Sequence, residues 1–191
     1  MGKILESIQN TVIAGFVLML ILLALVGQTT GTYDMGYIVR YIHVLSGIMW
    51  IGLLWYFNFI QIPTMPSIPD EMKPAIGKHI APKALWWFRW GAMFTLVSGL
   101  AVAFMSNYLV AALTFEGGHR LIGAGMWMAI IMWFNVWFVI WPNQKIALGI
   151  VEADADAKPA AARKAMLFSR TNTLLSIPML YCMIGGVELG L

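Results

Sequence analysis

The sequence predicts an all-α, polytopic membrane helical bundle of about five transmembrane helices, and three observations predict it. Of the 191 residues, 60% are hydrophobic and 11% charged, whereas a soluble globular domain is about 25% charged. The apolar residues fall into runs long enough to cross a hydrocarbon core, which takes roughly 20 helical residues. Between the runs lie short stretches of Pro, Gly, Lys and Trp, residues that end helices or mark a membrane interface. The length leaves no room for an additional soluble catalytic domain, so residues 1–191 read as a single integral membrane domain.

The spans are expected at about 11–27, 37–61, 84–107, 119–141 and 171–189. The first could be a signal-peptide core, but it is long enough to cross and is read as an uncleaved span. A polar turn at 28–36 leads into the second. Pro63, Pro66 and Pro69 are expected to stop that helix, because each lacks an amide donor and restricts the residue before it. Asp70 and Glu71 suit the first turn of a short interfacial helix in the loop that also carries Lys73, Lys78, His79 and Lys83. Trp86, Trp87 and Trp90 mark the entry of the third span as an aromatic belt. Within it, Ala92, Thr95, Gly99, Ala103 and Ser106 recur at three- and four-residue spacing, a face small enough for another helix to approach closely. Residues 108–115 lie flat at the surface or extend that helix. The fourth span carries Asn135 and ends at Pro142. An acidic turn around Glu152, Asp154 and Asp156 and a short helix led by Pro159 connect it to the fifth, where Pro178 is an expected kink.

Charge supplies an orientation. Most Lys and Arg residues lie in the 63–83 and 143–170 loops, with Lys3 near the N-terminus. The positive-inside rule then places the N-terminus and both loops in the cytoplasm and the C-terminus outside. The net charge of +3 comes from scattered cations without a basic run, so no nucleic-acid partner is expected. A single cysteine, Cys182, excludes an intramolecular disulfide, a C-x-x-C-H haem attachment and a thiolate metal cluster. Phosphate-cradling loops, H-E-x-x-H and a nucleophile elbow are absent. Met126 and Met128 diverge by about 200° on a helix and make a poor copper site. No internal repeat supports a transporter.

The stretch from Arg40 to Gly52 sets Arg40, His43, Gly47 and Trp50 in an apolar helix. An ionisable residue inside a span is costly and marks a functional hypothesis. His43 would lie roughly 9 Å below the outer end of its span. His119 and Arg120 open the fourth span on the same side. Two histidines at similar depth could ligate a haem iron, with Arg40 and Arg120 neutralising its propionates, Gly47 leaving space for the macrocycle and Trp50 flanking it. Alternatives stay open: His43 can hydrogen-bond across the bundle, His119 can be an ordinary interfacial histidine, and Met105, Met126 or Met183 can supply the second ligand. His79 sits apart. A second, inner group comprises Asn58, Gln61, Arg89, Asn135, Asn143, Gln144 and Asn172. Interhelical hydrogen bonding accounts for such residues, and a quinone or small-substrate pocket is the sharper alternative. Arg89 needs a carbonyl, a carboxylate or a lipid phosphate, unless it snorkels to the interface.

His43-x-x-x-Gly47-Ile-x-Trp50-Ile-Gly52, Trp87-Phe-Arg-Trp90 with Thr95-x-x-Ser98-Gly99, and Trp133-Phe-Asn135-x-Trp137-x-x-Ile140-Trp141-Pro142-x-Gln144-Lys145 together resemble the N-terminal membrane domain of bacterial urate hydroxylases. The likeness covers spans two to four and the start of the next loop, and the last motif is the most specific. More distantly, a histidine near the start of a Trp-Ile-Gly helix is similar to haem-binding membrane protoporphyrinogen oxidases and copper-resistance membrane proteins. The resemblance implies a multi-pass protein of the bacterial inner membrane with haem b at His43. This chain lacks the length and the C-x-x-C-H of the cytochrome c domain fused to such hydroxylases. The expectation is therefore a haem-b redox or electron-transfer subunit working in the lipid bilayer with other membrane subunits or a cytochrome c. The alternative is a non-catalytic accessory subunit of a larger membrane complex.

Overall fold

Each long apolar run of the sequence is helical in the computed structural model, which describes residues 2–30, 34–154 and 156–188, without the side chains of residues 3, 29, 30, 187 and 188. The middle of the expected 28–36 turn, the end of the fifth span at Leu189 and the side chain of Lys3 fall outside the described residues. No strand occurs among the described residues. The chain divides into two compact units, Met1–Met35 and Gly36–Leu191.

The first unit consists of α1 (Gly2–Leu5) and α2 (Ile8–Thr30). At the break between them the Thr11 hydroxyl donates to the carbonyls of Ser7 and Ile4 at 3.0 and 3.1 Å. Ile13, Leu18 and Leu22 each expose about 60% of their surface. A helix apolar on every face is stable against lipid or inside a larger protein, not in water.

The second unit begins with α3 (Met35–Trp55), which passes through a π-helical turn, Tyr56–Gln61, into α4 (Ile62–Thr64). A short α5 (Lys73–Ala75) and a π-helical turn, Ile76–Ile80, precede α6 (Ala81–Met105). Then come α7 (Leu109–Leu113), α8 (Arg120–Phe134), a third π-helical turn, Asn135–Ile140, α9 (Trp141–Ala147) and α10 (Ala157–Glu188).

Of the three prolines expected to stop the second helix, Pro69 does so: the helix ends at Ser67, and Ile68 before Pro69 is extended, with φ −84° and ψ 131°. Helix continues from Met35 to Ser67 and from Gly117 to Ala147, so Pro63 and Pro142 do not stop it. Each π-helical turn ends two residues before a proline: Pro63, Pro82 and Pro142. A proline ring clashes with the carbonyl four residues back, and those carbonyls, of Phe59, Lys78 and Phe138, all lie within the widened turns. The bulge absorbs the clash and the helix resumes. Pro178 likewise lies inside α10 without ending it.

The core joins Trp50, Leu54 and Phe57 to Leu85, Phe88 and Ala92 of α6, to Met132, Val136 and Ile140, and to Ala165 and Met179 of α10. Small residues set the approach of the helices. A Cβ on Gly91 would sit 3.2 Å from the Trp50 backbone, one on Gly125 3.0 Å from Cys182 Cβ, and one on Gly123 would overlap the Ala112 carbonyl. Of the small face expected on α6, Ala92, Thr95 and Ala103 are buried, whereas Ser106 is exposed.

Among the described residues four helices are long and apolar enough to cross a membrane: Ile8–Gln28, Met35–Ser67, Lys73–Met105 and Gly117–Ala147. The 32-residue α10 is not among them: Lys158, Arg163, Lys164 and Arg170 lie in its first half, and the buried Ser169, Asn172 and Ser176 interrupt its apolar residues. The fold is thus an all-helical assembly of long apolar helices compatible with a membrane protein.

Candidate functional site

The residues singled out on α3 face α6. His43, Gly47 and Trp50 follow one another at helical spacing, and their neighbours on α6 run in the opposite order, as antiparallel helices require. His43 Nδ1 lies 2.9 Å from the Thr95 carbonyl oxygen. That oxygen can only accept, so Nδ1 carries the proton and Nε2 the lone pair. The Ser98 hydroxyl is 3.4 Å from the same Nδ1. Gly99 completes the socket: a Cβ there would lie 2.7 Å from His43 Cε1 and 3.0 Å from Nδ1. The imidazole occupies the space that this glycine vacates.

Gly47 sits against Thr95, where an added Cβ would meet Thr95 Cγ2 at 3.9 Å. Trp50 packs on Gly91 and is only 1% exposed, with its Nε1 buried and unpartnered among the described residues.

Arg40 is exposed at the start of α3, and its charge reaches Tyr108, the residue that links α6 to α7. Burial pushes the Tyr108 hydroxyl above the usual phenol range, and the Arg40 charge pulls it partly back. Tyr108 in turn stacks on His119, with ring centroids 5.4 Å apart and 20° between planes. Arg40, Tyr108 and His119 therefore form one group at this end of the bundle, while His43 has its own socket on α6. Arg120 is exposed in the first turn of α8. Of the thioether alternatives, Met126 is buried among Ala103, Ala112 and Ile122, Met183 packs against the same cluster, and Met105 is exposed. His79 is exposed in its π-helical turn.

The inner polar group separates into satisfied and unsatisfied members. Asn135 Nδ2 donates to Asn172 Oδ1 at 2.9 Å, and Asn172 Nδ2 to the Met132 carbonyl at 2.9 Å. Asn58 Nδ2 donates to Ser169 Oγ at 2.8 Å, Trp55 Nε1 to Ser176 Oγ at 2.9 Å, and Asn143 Nδ2 to the Val139 carbonyl at 2.7 Å. The Asn143 bond stays within its own helix; the others tie α3 and α8, with the π-helical turns that follow them, to α10. Asn58 Oδ1, Gln61 Oε1 and the Nε1 atoms of Trp133 and Trp137 are buried without a partner among the described residues. Arg89 stands over Trp141, 3.4 Å from the ring centroid, and 5.7 Å from that of Trp137.

Sequence reasoning missed Tyr108 as the partner of His119 and Thr95, Ser98 and Gly99 as the socket of His43. The signal was present: with α3 and α6 antiparallel, the small residues of the α6 face fall at the depth of His43.

No three His, Cys, Asp or Glu residues converge as a metal cluster among the described residues. A haem needs only one or two axial donors. His43 meets the requirement at one position: a backbone carbonyl fixes its tautomer and leaves Nε2 as the donor, the arrangement usual for ligating histidines.

Residues 109–187 match the model of the family described as urate oxidase N-terminal. The match runs from α7 through α10 and contains the Trp133 to Lys145 motif, while His43 lies outside it. It carries no link to protoporphyrinogen oxidases or copper-resistance proteins. No curated protein and no solved structure matches the chain.

Proposed function

From a chain related over residues 109–187 to urate oxidase N-terminal domains, we propose a multi-pass subunit of the bacterial inner membrane that carries electrons through a haem b. The observation that carries this reading is the His43 imidazole, anchored through Nδ1 to the Thr95 carbonyl at 2.9 Å with Nε2 left as a lone-pair donor. Nε2 would hold the iron, and a bound haem would supply one-electron chemistry. The chain's own residues do the positioning: Thr95 fixes the tautomer, Gly99 makes room for the ring, and Arg40 and Arg120 offer charge for propionates at the His119 end. His119, stacked on Tyr108, is the second candidate ligand.

The topology that fits is five spans with the N-terminus and the two basic loops cytoplasmic. The outer half of α10, beyond Arg170, is the fifth span, and its cations stay in the loop region. Lipid surrounds the exposed apolar faces, and a cytochrome c or another membrane subunit accepts the electrons.

Absorption spectroscopy of the purified chain tests the reading. A Soret band and a reduced b-type α band are expected in the wild type and lost in His43→Ala. Stoichiometric protein without haem after expression with haem supplementation would overturn it.

A further inference from the structure

We propose that the end of the bundle formed by α6 and α9 binds one anionic phospholipid, its phosphate taken by Arg89 and Lys145 beside Trp141 and an acyl chain lying along Trp86 and Trp90. The inference rests on the membrane reading and is independent of haem. Arg89 Cζ lies 3.4 Å and Lys145 Nζ 5.8 Å from the centroid of the Trp141 ring, so two cations share one indole. Neither has a carboxylate within ion-pair distance among the described residues, where the only such pair is Lys73 with Asp70. The protein hydrogen bond that Arg89 makes is a long one, Nε to the Leu85 carbonyl at 3.4 Å, which leaves its terminal nitrogens as donors. An arginine at this depth needs oxygen atoms facing it.

The path for the acyl chain starts at Trp86, three residues before Arg89 on α6 and so beside it on the helix surface. A groove of about 330 Å³ is lined by Pro82, Lys83, Trp86 and Trp87. It continues into a ladder of rings, with Trp86 4.9 Å from Trp87 and 6.3 Å from Trp90, and Trp90 5.6 Å from Trp137. Trp86 and Trp90 are 47% and 36% exposed, as rings facing acyl chains would be. Cations without acids select a net-negative headgroup over a zwitterionic one, and exposed aromatic rings beside them select a lipid over a free anion. Each cation near such a headgroup contributes about a fivefold gain in affinity.

Native mass spectrometry of the full chain in micelles doped with phosphatidylglycerol or phosphatidylcholine provides the test. One phosphatidylglycerol should be retained at least about fivefold better than phosphatidylcholine. Arg89→Gln and Lys145→Gln should each cost about fivefold, and Lys164→Gln on the exposed face of α10 should cost nothing. If Arg89→Gln fails to fold, Lys145→Gln decides alone. Equal retention of the two lipids, an unaffected Lys145→Gln, or displacement of the lipid by millimolar inorganic phosphate would overturn the proposal. Extraction of the chain from membranes by alkaline carbonate would instead overturn the membrane reading beneath it.

Discussion

The socket of His43 can be tested through the residue that makes room for it. In Gly99→Ala the new methyl group would sit 2.7 Å from Cε1 and 3.0 Å from Nδ1 of the imidazole. Both distances are below ordinary contact, and the colliding group is a side chain, so the ring moves rather than the backbone. Moving it breaks the 2.9 Å bond to the Thr95 carbonyl, worth about 1 kcal/mol net. Overpacking as a whole costs about 1–3 kcal/mol, and replacing glycine by alanine within a helix returns about 0.5–1 kcal/mol. The net expectation is a loss of about 1 kcal/mol, measured by denaturant unfolding in micelles. The sharper measurement is a double-mutant cycle. With His43→Ala the clash has no partner, so Gly99→Ala becomes stabilising by its helix-propensity gain. The coupling between the two sites then equals the overpacking term, about 1–3 kcal/mol. Additive effects, with Gly99→Ala costing the same in both backgrounds, would refute the packing of this imidazole on Gly99 and with it the assignment of Nε2 as the donor.

Other glycines should rank by what they face. Gly123→Ala drives a methyl group into the Ala112 carbonyl, whereas Gly52 has nothing within 4 Å; the first should lose at least about 3 kcal/mol and the second gain up to about 1 kcal/mol in the same unfolding assay. Asn172→Ala strands the Asn135 side-chain amide, while the Met132 carbonyl keeps the Asn135 backbone N–H as a donor; it should cost about 1 kcal/mol, with less than additive loss when combined with Asn135→Ala. Tyr108 titrates above the usual phenol range because of burial, with Arg40 opposing that shift, so Arg40→Gln should raise it further, read from phenolate absorbance. Because the folded pKa is raised, the stability Tyr108 contributes is complete below the unfolded value of about 10 and is lost as pH climbs through the folded one.

Helix placement was legible because it depends on long apolar runs, and every expected span has helix at its centre. The small face of α6 was legible as well, since Ala92, Thr95 and Ala103 obey a three- and four-residue spacing that needs no tertiary knowledge. Helix ends were not. Pro63 and Pro142 read as stops under the rule for α-helical geometry, and only the widened turns before them let the chain continue. The pairing of His43 with Thr95 was hidden for a different reason. The partner atom is a backbone carbonyl, which no residue type announces. The stacking of His119 on Tyr108 escaped because the sequence of 108–115 suits a flat segment and a helix extension equally, while α7 folds this stretch back onto α8, with Ala112 at Gly123.

The π-helical turns also bear on which residues of the family-matched segment are explained by packing. Burying a polar atom without a partner costs about 1–3 kcal/mol, and Asn58 Oδ1, Gln61 Oε1, Trp133 Nε1 and Trp137 Nε1 all bear that cost among the described residues. Asn58 and Gln61 lie in the turn before Pro63, Trp137 lies in the turn before Pro142, and Trp133 is one helical turn from it. Within the Trp133 to Lys145 motif, Asn135 is accounted for by its bond to Asn172, and Trp141 by the cations against its ring. The Trp137 ring also has Arg89 5.7 Å from its centroid, but the N–H groups of Trp133 and Trp137 are not accounted for in that way, because a phenylalanine would keep an aromatic ring there without an unpaired N–H. The two indoles are therefore where a second substitution series belongs. If the N–H groups serve only bulk, Trp133→Phe and Trp137→Phe should each stabilise the chain by the relieved penalty, about 1–3 kcal/mol. If either donates to a group that the folded chain does not itself supply, that variant should show no such gain in its native membrane and should lose whatever redox spectrum or lipid retention the wild type displays.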